Sequence, residues 1–174
     1  NVCEALAGVV GLIRQGHRVL ITHGNGPQVG HALLRAESAR GLAYDLPLDV
    51  CVAQSQGETG YLIQQCLQNL LHRAGINHRP VATVVTRTVV DRADPRMTQP
   101  TKPIGPFYTN DQAAAMRAGG WRMVEDAHRG YRRVVSSPLP LRIVEAEVIQ
   151  QLVEEGVVVV AVGGGGIPVS VSED

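Results

Sequence analysis

Aromatic side chains are nearly missing from these 174 residues: one Trp, one Phe and four Tyr, 3% of the chain. With 44% hydrophobic residues overall, a core has to be built from Val, Leu, Ile and Ala. The length fits one domain, large enough to bury such a core. An excess of charge is missing too, with sixteen Lys+Arg set against sixteen Asp+Glu. That balance argues against a general nucleic-acid binder and against an anionic-membrane binder. Apolar runs are too short for a membrane span. The three cysteines, Cys3, Cys51 and Cys66, lie far apart with no paired metal-ligand spacing, so they read as small core or surface residues. Their odd number, without a secretory signal, points to a reducing cytoplasm.

Lysine is scarcer still. Fifteen of the sixteen basic residues are arginine, and the one lysine is Lys102, in TQPTKPIGPF. A lineage bias towards arginine accounts for most of this imbalance. Arg and Lys interchange freely on a solvated surface, but not where a compact point charge must reach a phosphate. A lysine that survives such a bias is therefore a candidate functional residue.

What is present alternates between two periods. Val2, Ala5, Leu6, Val9, Val10, Leu12 and Ile13 recur at helical spacing, and Gly16 offers a stop. Residues 18–22 (RVLIT) read as a buried strand, and residues 28–40 as a helix. A long helical pattern covers residues 48–74, with a bend expected at Gly57 or Gly60. Residues 80–87 (PVATVVTR) read as the next strand. Prolines and glycines then crowd residues 88–140, an excursion resembling a small lid, with short strands near 121–124 and 134–136 and a helix over 111–118. The regular pattern returns as a helix over 144–155 and a buried strand over 157–162 (VVVVAV). Helices alternating with apolar strands predict a mainly parallel sheet covered on both faces. The expected organisation is an N-terminal α/β core at 1–87, a protruding lid at 88–140, and a return to the core at 141–174.

Two strands finish in glycine: RVLITH runs into GNG, and VVVVAV into GGGG. Ligands of open α/β sheets bind beyond the carboxyl ends of strands. Glycine there lets backbone N–H groups turn towards a ligand. After GNGP a helix begins, adding positive potential at its N-terminus, and Pro27 suits its first turn. Asn25 offers a side-chain donor or a left-handed turn. A phosphate or carboxylate is the natural guest, although each loop alone is also explained as a tight turn. Neither loop matches the Walker or GxGxxG pattern. His23 reads as a ligand or as a hydrogen-bonded structural histidine. Asp91 and Asp94, in DRADP, read as turn-shaping residues rather than a metal pair. Gln54, Gln56 and Gly57 are explained by helix capping and packing or by proximity to the site. Arg132 and Arg133 are read either as guides for anions or as solvated surface.

In order and spacing, THGNGPQVG, QSQGETGYLIQQ, TVVTRTVVDRADP, PTKPIGPF, GYRRVVSSPLP and VGGGGIPV resemble the carbamate kinases of the amino-acid-kinase superfamily. The resemblance runs through essentially the whole chain. It implies a three-layer α/β/α sandwich with a protruding subdomain, usually a homodimer, in which residues 48–74 are a candidate interface. It implies reversible transfer of a phosphoryl group between ATP and carbamate, giving ADP and carbamoyl phosphate, with Mg, in cytoplasmic arginine catabolism. Under it, Gly24, Asn25 and Gly26 cradle carbamate or carbamoyl phosphate. Lys102 reaches the transferring group, and Gly163, Gly164, Gly165 and Gly166 form the second loop lining the site. No metal ligand is assigned. The family also has an earlier strand ending in a Gly-Gly-Asn loop and a later half that carries most of the nucleotide site. A piece of a longer chain, a truncated product and a half completed by another chain are all compatible with that difference. Two functions follow: part of a working carbamate kinase, or a non-catalytic remnant that keeps an anion or partner site.

Overall fold

A computed structural model describes residues 2–171. The first helical pattern divides at Leu6 into α1 (Val2–Ala5) and α2 (Ala7–Arg14), and Gly16, with φ of 85°, turns the chain out of the helix. The next elements are β1 (Leu20–Ile21), α3 (Gly26–Ser38), α4 (Leu48–Arg73), β2 (Val81–Thr83) and β3 (Arg87–Val90). There follow β4 (Lys102–Tyr108), α5 (Asn110–Ala118), β5 (Met123–Glu125), β6 (Tyr131–Val135) and β7 (Pro140–Ile143). The chain returns through α6 (Ala146–Glu154), β8 (Val158–Val160) and β9 (Ile167–Val169).

The valine run forms the centre of the molecule. β8 lies between β1 and β2, parallel to both, with Leu20 opposite Val159 and Val81 opposite Val158. Its three valines are fully buried. Because successive side chains alternate, Val158 and Val160 pack with Leu6, Ile13, Ile63, Leu67 and Leu71 of the α2–α4 side, while Val159 packs with Ile149 of α6. Helices on both faces of this sheet make the expected three-layer α/β/α arrangement.

Two further sheets extend it. β3 lies between β7, antiparallel, and β9, parallel. β6 lies between β4 and β5, all antiparallel. The single strand expected over 80–87 is thus two strands in different sheets, separated at Thr86, which is fully buried. Strands β4 and β7 were not expected at all, because Pro103, Pro106 and Pro140 weaken the pattern. Both lie at sheet edges, where a residue without an N–H is tolerated. Helix α5 begins one residue earlier than expected, with a capping box between Thr109 and Gln112.

The bend expected at Gly57 or Gly60 is absent, and α4 runs unbroken through both. Gly60 serves contact instead: a Cβ there would run into the Thr83 side chain on β2. Gly30 on α3 does the same for the antiparallel sheet, since a Cβ would collide with the Gly105 backbone of β4. Val29, Leu33, Cys51 and Ile104 complete that contact as a second buried cluster. The reading of all three cysteines as separate small residues is corrected. Cys3 of α1 and Cys66 of α4 form a disulfide, their Cα atoms 5.4 Å apart where the two helices pack, and Cys51 is buried and free. Among the described residues no helix is long and apolar enough to cross a membrane.

Two outcomes test this packing. Gly30→Ala should lower stability by about 2–3 kcal/mol, the usual scale of overpacking, whereas Gly11→Ala, with nothing within 4 Å of its new Cβ, should add about 0.5 kcal/mol. Thermal unfolding of both variants measures the difference. Reducing the bridge, whose partners are 63 positions apart, should destabilise by about 4 kcal/mol on a chain-entropy basis, read as a lower melting temperature in reductant.

Candidate functional site

Both glycine turns follow strands of the central sheet and face each other. Leaving β1, the chain passes His23 and Gly24 and enters α3 at Gly26, with Pro27 in the first turn. Leaving β8, it passes Val162 and makes a single 3-10 turn over Gly163–Gly165. Lys102 arrives from β4, and its Nζ donates to the Gly164 carbonyl at 2.8 Å. Gly24, Asn25, Gly26, Lys102, Gly164 and Gly165 line one open cleft of about 470 Å³. Behind Lys102 a tighter, mostly apolar cavity of about 150 Å³ shares Asn25, Lys102, Gly164 and Gly165 with it. The structure therefore brings Lys102 and the two loops together.

The two turns use their backbone groups in opposite ways. In the second loop the N–H of Gly164 donates to His23, that of Gly165 to Val162, and that of Gly166 to Gly163, at 2.8–3.1 Å. Its carbonyls accept in turn: Gly163 from Gln56, Gly164 from Lys102, Gly165 from Thr88. The expectation that this loop aims amides at a ligand is not met at Gly164, Gly165 or Gly166. Its glycines are explained by the protein itself. Gly164, Gly165 and Gly166 have φ of 64°, 92° and 88°, and a Cβ at Gly164 or Gly166 would strike Asn25 or Thr88. In the first loop, among the described residues, no acceptor is recorded for the N–H of Gly24, Asn25 or Gly26. Their donor capacity remains for a ligand, at the start of a 13-residue helix.

Asn25 differs from expectation in a second respect. Its φ is −143°, not left-handed, and the residue is 3% exposed. The Nδ2 donates to Ser55 Oγ at 2.8 Å, and Ser55 donates onward to Val52 O. Asn25 therefore fixes the loop to α4 with its side chain. His23 has its Nδ1 3.1 Å from the Gly24 carbonyl, and its ring packs against Gly163. Asp91 and Asp94 shape their turn as expected: Asp91 accepts from the Ala93 N–H, and Asp94 from Arg96 and Leu139. Donation from the Leu139 and then the Arg96 backbone holds the Asp94 carboxyl below its usual range. Arg132 and Arg133 are not solvated surface. Arg132 bonds Gly105 O and Asp126 and holds its Nη2 3.9 Å from where a Gly26 Cβ would sit, beside the first loop, while Arg133 bonds Glu37 at 2.8 Å.

Burial pushes the Lys102 ammonium below the ordinary lysine value, because desolvation disfavours the charged form. Among the described residues no carboxylate lines either cavity, and no group of three His, Cys, Asp or Glu is placed to hold a metal. Three polar residues escaped the sequence reading as parts of one unit. Gln56 is 1% exposed; its Nε2 donates to Thr86 O and Gly163 O, and its Oε1 accepts the Thr86 N–H. Thr86 Oγ1 accepts the Val162 N–H, and Thr88 holds Gly165. The signal available was Ser55 and Gln56 on the otherwise apolar stripe of α4 formed by Cys51, Ile63 and Leu67.

No family model matches the chain. Individual proteins do. The carbamate kinase-like protein YqeA of Escherichia coli is 51% identical over 164 residues, 92% of this chain and 53% of its own. The carbamate kinase of Pyrococcus horikoshii is 48% identical over 172 residues, 97% of this chain and 54% of its own. A solved structure of carbamate kinase from Giardia lamblia bound to citric acid superposes with a TM-score of 0.95 at 41% identity, over 99% of this chain and 56% of that one. The same enzyme bound to AMP-PNP gives 0.80 over 99% and 55%. The chain spans about half the length of the curated relatives it matches. Similarity of this strength along nearly every residue present, carried by an α/β/α fold that superposes on solved carbamate kinases, makes the chain strongly homologous to about half of a carbamate kinase.

Proposed function

We propose that this chain carries the phosphoryl-acceptor side of a carbamate kinase site, binding carbamate and carbamoyl phosphate between the first glycine loop and Lys102. The observation that supports it is that Gly24, Asn25 and Gly26, whose N–H groups have no acceptor among the described residues, line one cleft with Lys102, whose ammonium has no carboxylate partner among those residues. Such a site suits a small dianion. In the direction of ATP synthesis, ADP attacks the phosphorus of carbamoyl phosphate, the bond from phosphorus to the carbamoyl oxygen breaks, and carbamate leaves with that electron pair. In reverse, carbamate already carries the nucleophilic oxygen as an anion, so no general base is needed. Transfer then rests on in-line placement and on offsetting negative charge, which amides and one lysine supply.

The nucleotide, ATP or ADP, is the phosphoryl partner on this reading, as the AMP-PNP complex of the Giardia lamblia relative suggests for that protein. Mg belongs to the family chemistry, but the cleft lining has no carboxylate, so these residues do not form a magnesium site. A cytoplasmic homodimer is the expected setting for the family reaction. The alternative, a relative that binds the anion without turnover, shares the site and differs in the assay.

Lys102→Ala should weaken carbamoyl phosphate binding about tenfold or more, the scale of a lost charge-assisted hydrogen bond. NMR shifts of the Gly24 and Gly26 amides would follow the titration, and unchanged affinity in the folded variant would overturn the assignment. ATP formation from ADP and carbamoyl phosphate separates the catalytic reading from the binding one. The pH dependence has a defined sign. The ammonium is the binding form, and its pKa is lowered. Affinity should therefore fall as pH rises through that lowered value, before the value of about 10.4 typical of an exposed lysine. Affinity that holds level up to that point would contradict the role.

A further inference from the structure

We infer that Gln56 is a positioning residue that seats Lys102 through the Gly163–Gly165 turn. Lys102 reaches that turn through one atom, the Gly164 carbonyl, so the place of its ammonium depends on where that carbonyl points. The turn is held in part by its own Gly165–Val162 and Gly166–Gly163 bonds and by His23 and Thr88, but its backbone is an unusual one. It is entered through Val162, a β-branched residue at φ of 56°, a left-handed conformation that such side chains adopt only under constraint. It continues through three glycines with positive φ, the residues with the most conformational freedom to lose.

A further constraint comes from α4. Gln56 Nε2 donates at 3.1 Å to both Thr86 O and Gly163 O, and its Oε1 accepts the Thr86 N–H at 2.7 Å. One amide thus ties the break between β2 and β3 to the first residue of the turn. Thr86 returns the connection by accepting the Val162 N–H through its hydroxyl. Gln56 Cγ also lies against the position a Gly163 Cβ would occupy. Loss of the amide would leave the buried Thr86 N–H without its acceptor and would take one of two donors from each of the Gly163 and Thr86 carbonyls, which keep the N–H groups of Gly166 and Ile167, a condition that drives rearrangement. The Gly164 carbonyl, the next in the chain, would lose its fixed direction, and the ammonium would swing towards water.

The importance of this seat rests on the proposed role of Lys102, but its test does not. The chain has a single lysine, so protein labelled with [ε-13C]lysine gives one side-chain resonance that reports Lys102 directly, with no substrate present. In Gln56→Met that resonance should move towards the position of an exposed lysine and titrate at higher pH than in the unaltered protein. Ile63→Val, on the same helix and buried in the α2–α4 cluster, should lower the melting temperature and leave the resonance in place. A folded Gln56→Met with an unmoved lysine signal would overturn the inference, as would an equal movement in Ile63→Val. Should Gln56→Met fail to fold, the unaltered protein still decides. Its Gln56 side-chain amide hydrogens should exchange with solvent as slowly as the core amides of α4, and rapid exchange would defeat the clamp. Binding of carbamoyl phosphate is read separately, so the kinase reading and the clamp fail by different measurements.

Discussion

A half-buried ammonium resting on a backbone carbonyl, with no carboxylate beside it among the described residues, is the contact on which the arrangement of the site depends. The Lys102–Gly164 hydrogen bond joins the antiparallel sheet to the loop that ends the central strand. A cation drawn from water loses hydration that one carbonyl only partly restores, and its lowered pKa expresses that loss. The fold holds it there by two independent means. Gly30 and Gly105 let α3 and β4 approach at backbone distance, which sets where Lys102 leaves the sheet. The fully buried valines of β8 deliver the glycine turn from the other side. The remaining electrostatic deficit is what an anion in the cleft would relieve.

Legibility from sequence followed physical strength. The valine run of β8 stands out because a strand buried on both faces has no polar alternation to confuse it. Lys102 stands out because the composition almost abolishes its residue type. β4 and β7 stayed hidden because edge strands admit proline, and a proline-rich segment reads as loop. The division at Thr86 was hidden because PVATVVTR keeps one apolar period across a change of sheet. Gln56 stayed open between helix packing and proximity to the site because its three hydrogen bonds all run to residues at least 30 positions away. The pairing of Cys3 with Cys66 depends on the crossing of α1 and α4, which no spacing encodes. At the glycine loops the sequence showed where the backbone is free to turn, and not which of its groups would face outwards.

That last distinction organises the proposed chemistry. The first loop keeps N–H groups without recorded acceptors and lies at the start of α3, so its potential is positive. The second has spent the amides of Gly164, Gly165 and Gly166 on His23, Val162 and Gly163, and its carbonyls accept from Gln56, Lys102 and Thr88. Two amide-lined loops would both draw the anion and leave its position between them undetermined. One donor loop and one acceptor loop, with a cation bound to the acceptor side, form a graded field instead. On the kinase reading, the anion's oxygens meet amides on one side and the ammonium on the other, and the carbonyls behind the ammonium keep it from collapsing onto the phosphate. The lysine is then set by the second loop and the substrate by the first. Substitutions in the two loops should differ in kind, the first acting on affinity directly and the second through the ammonium.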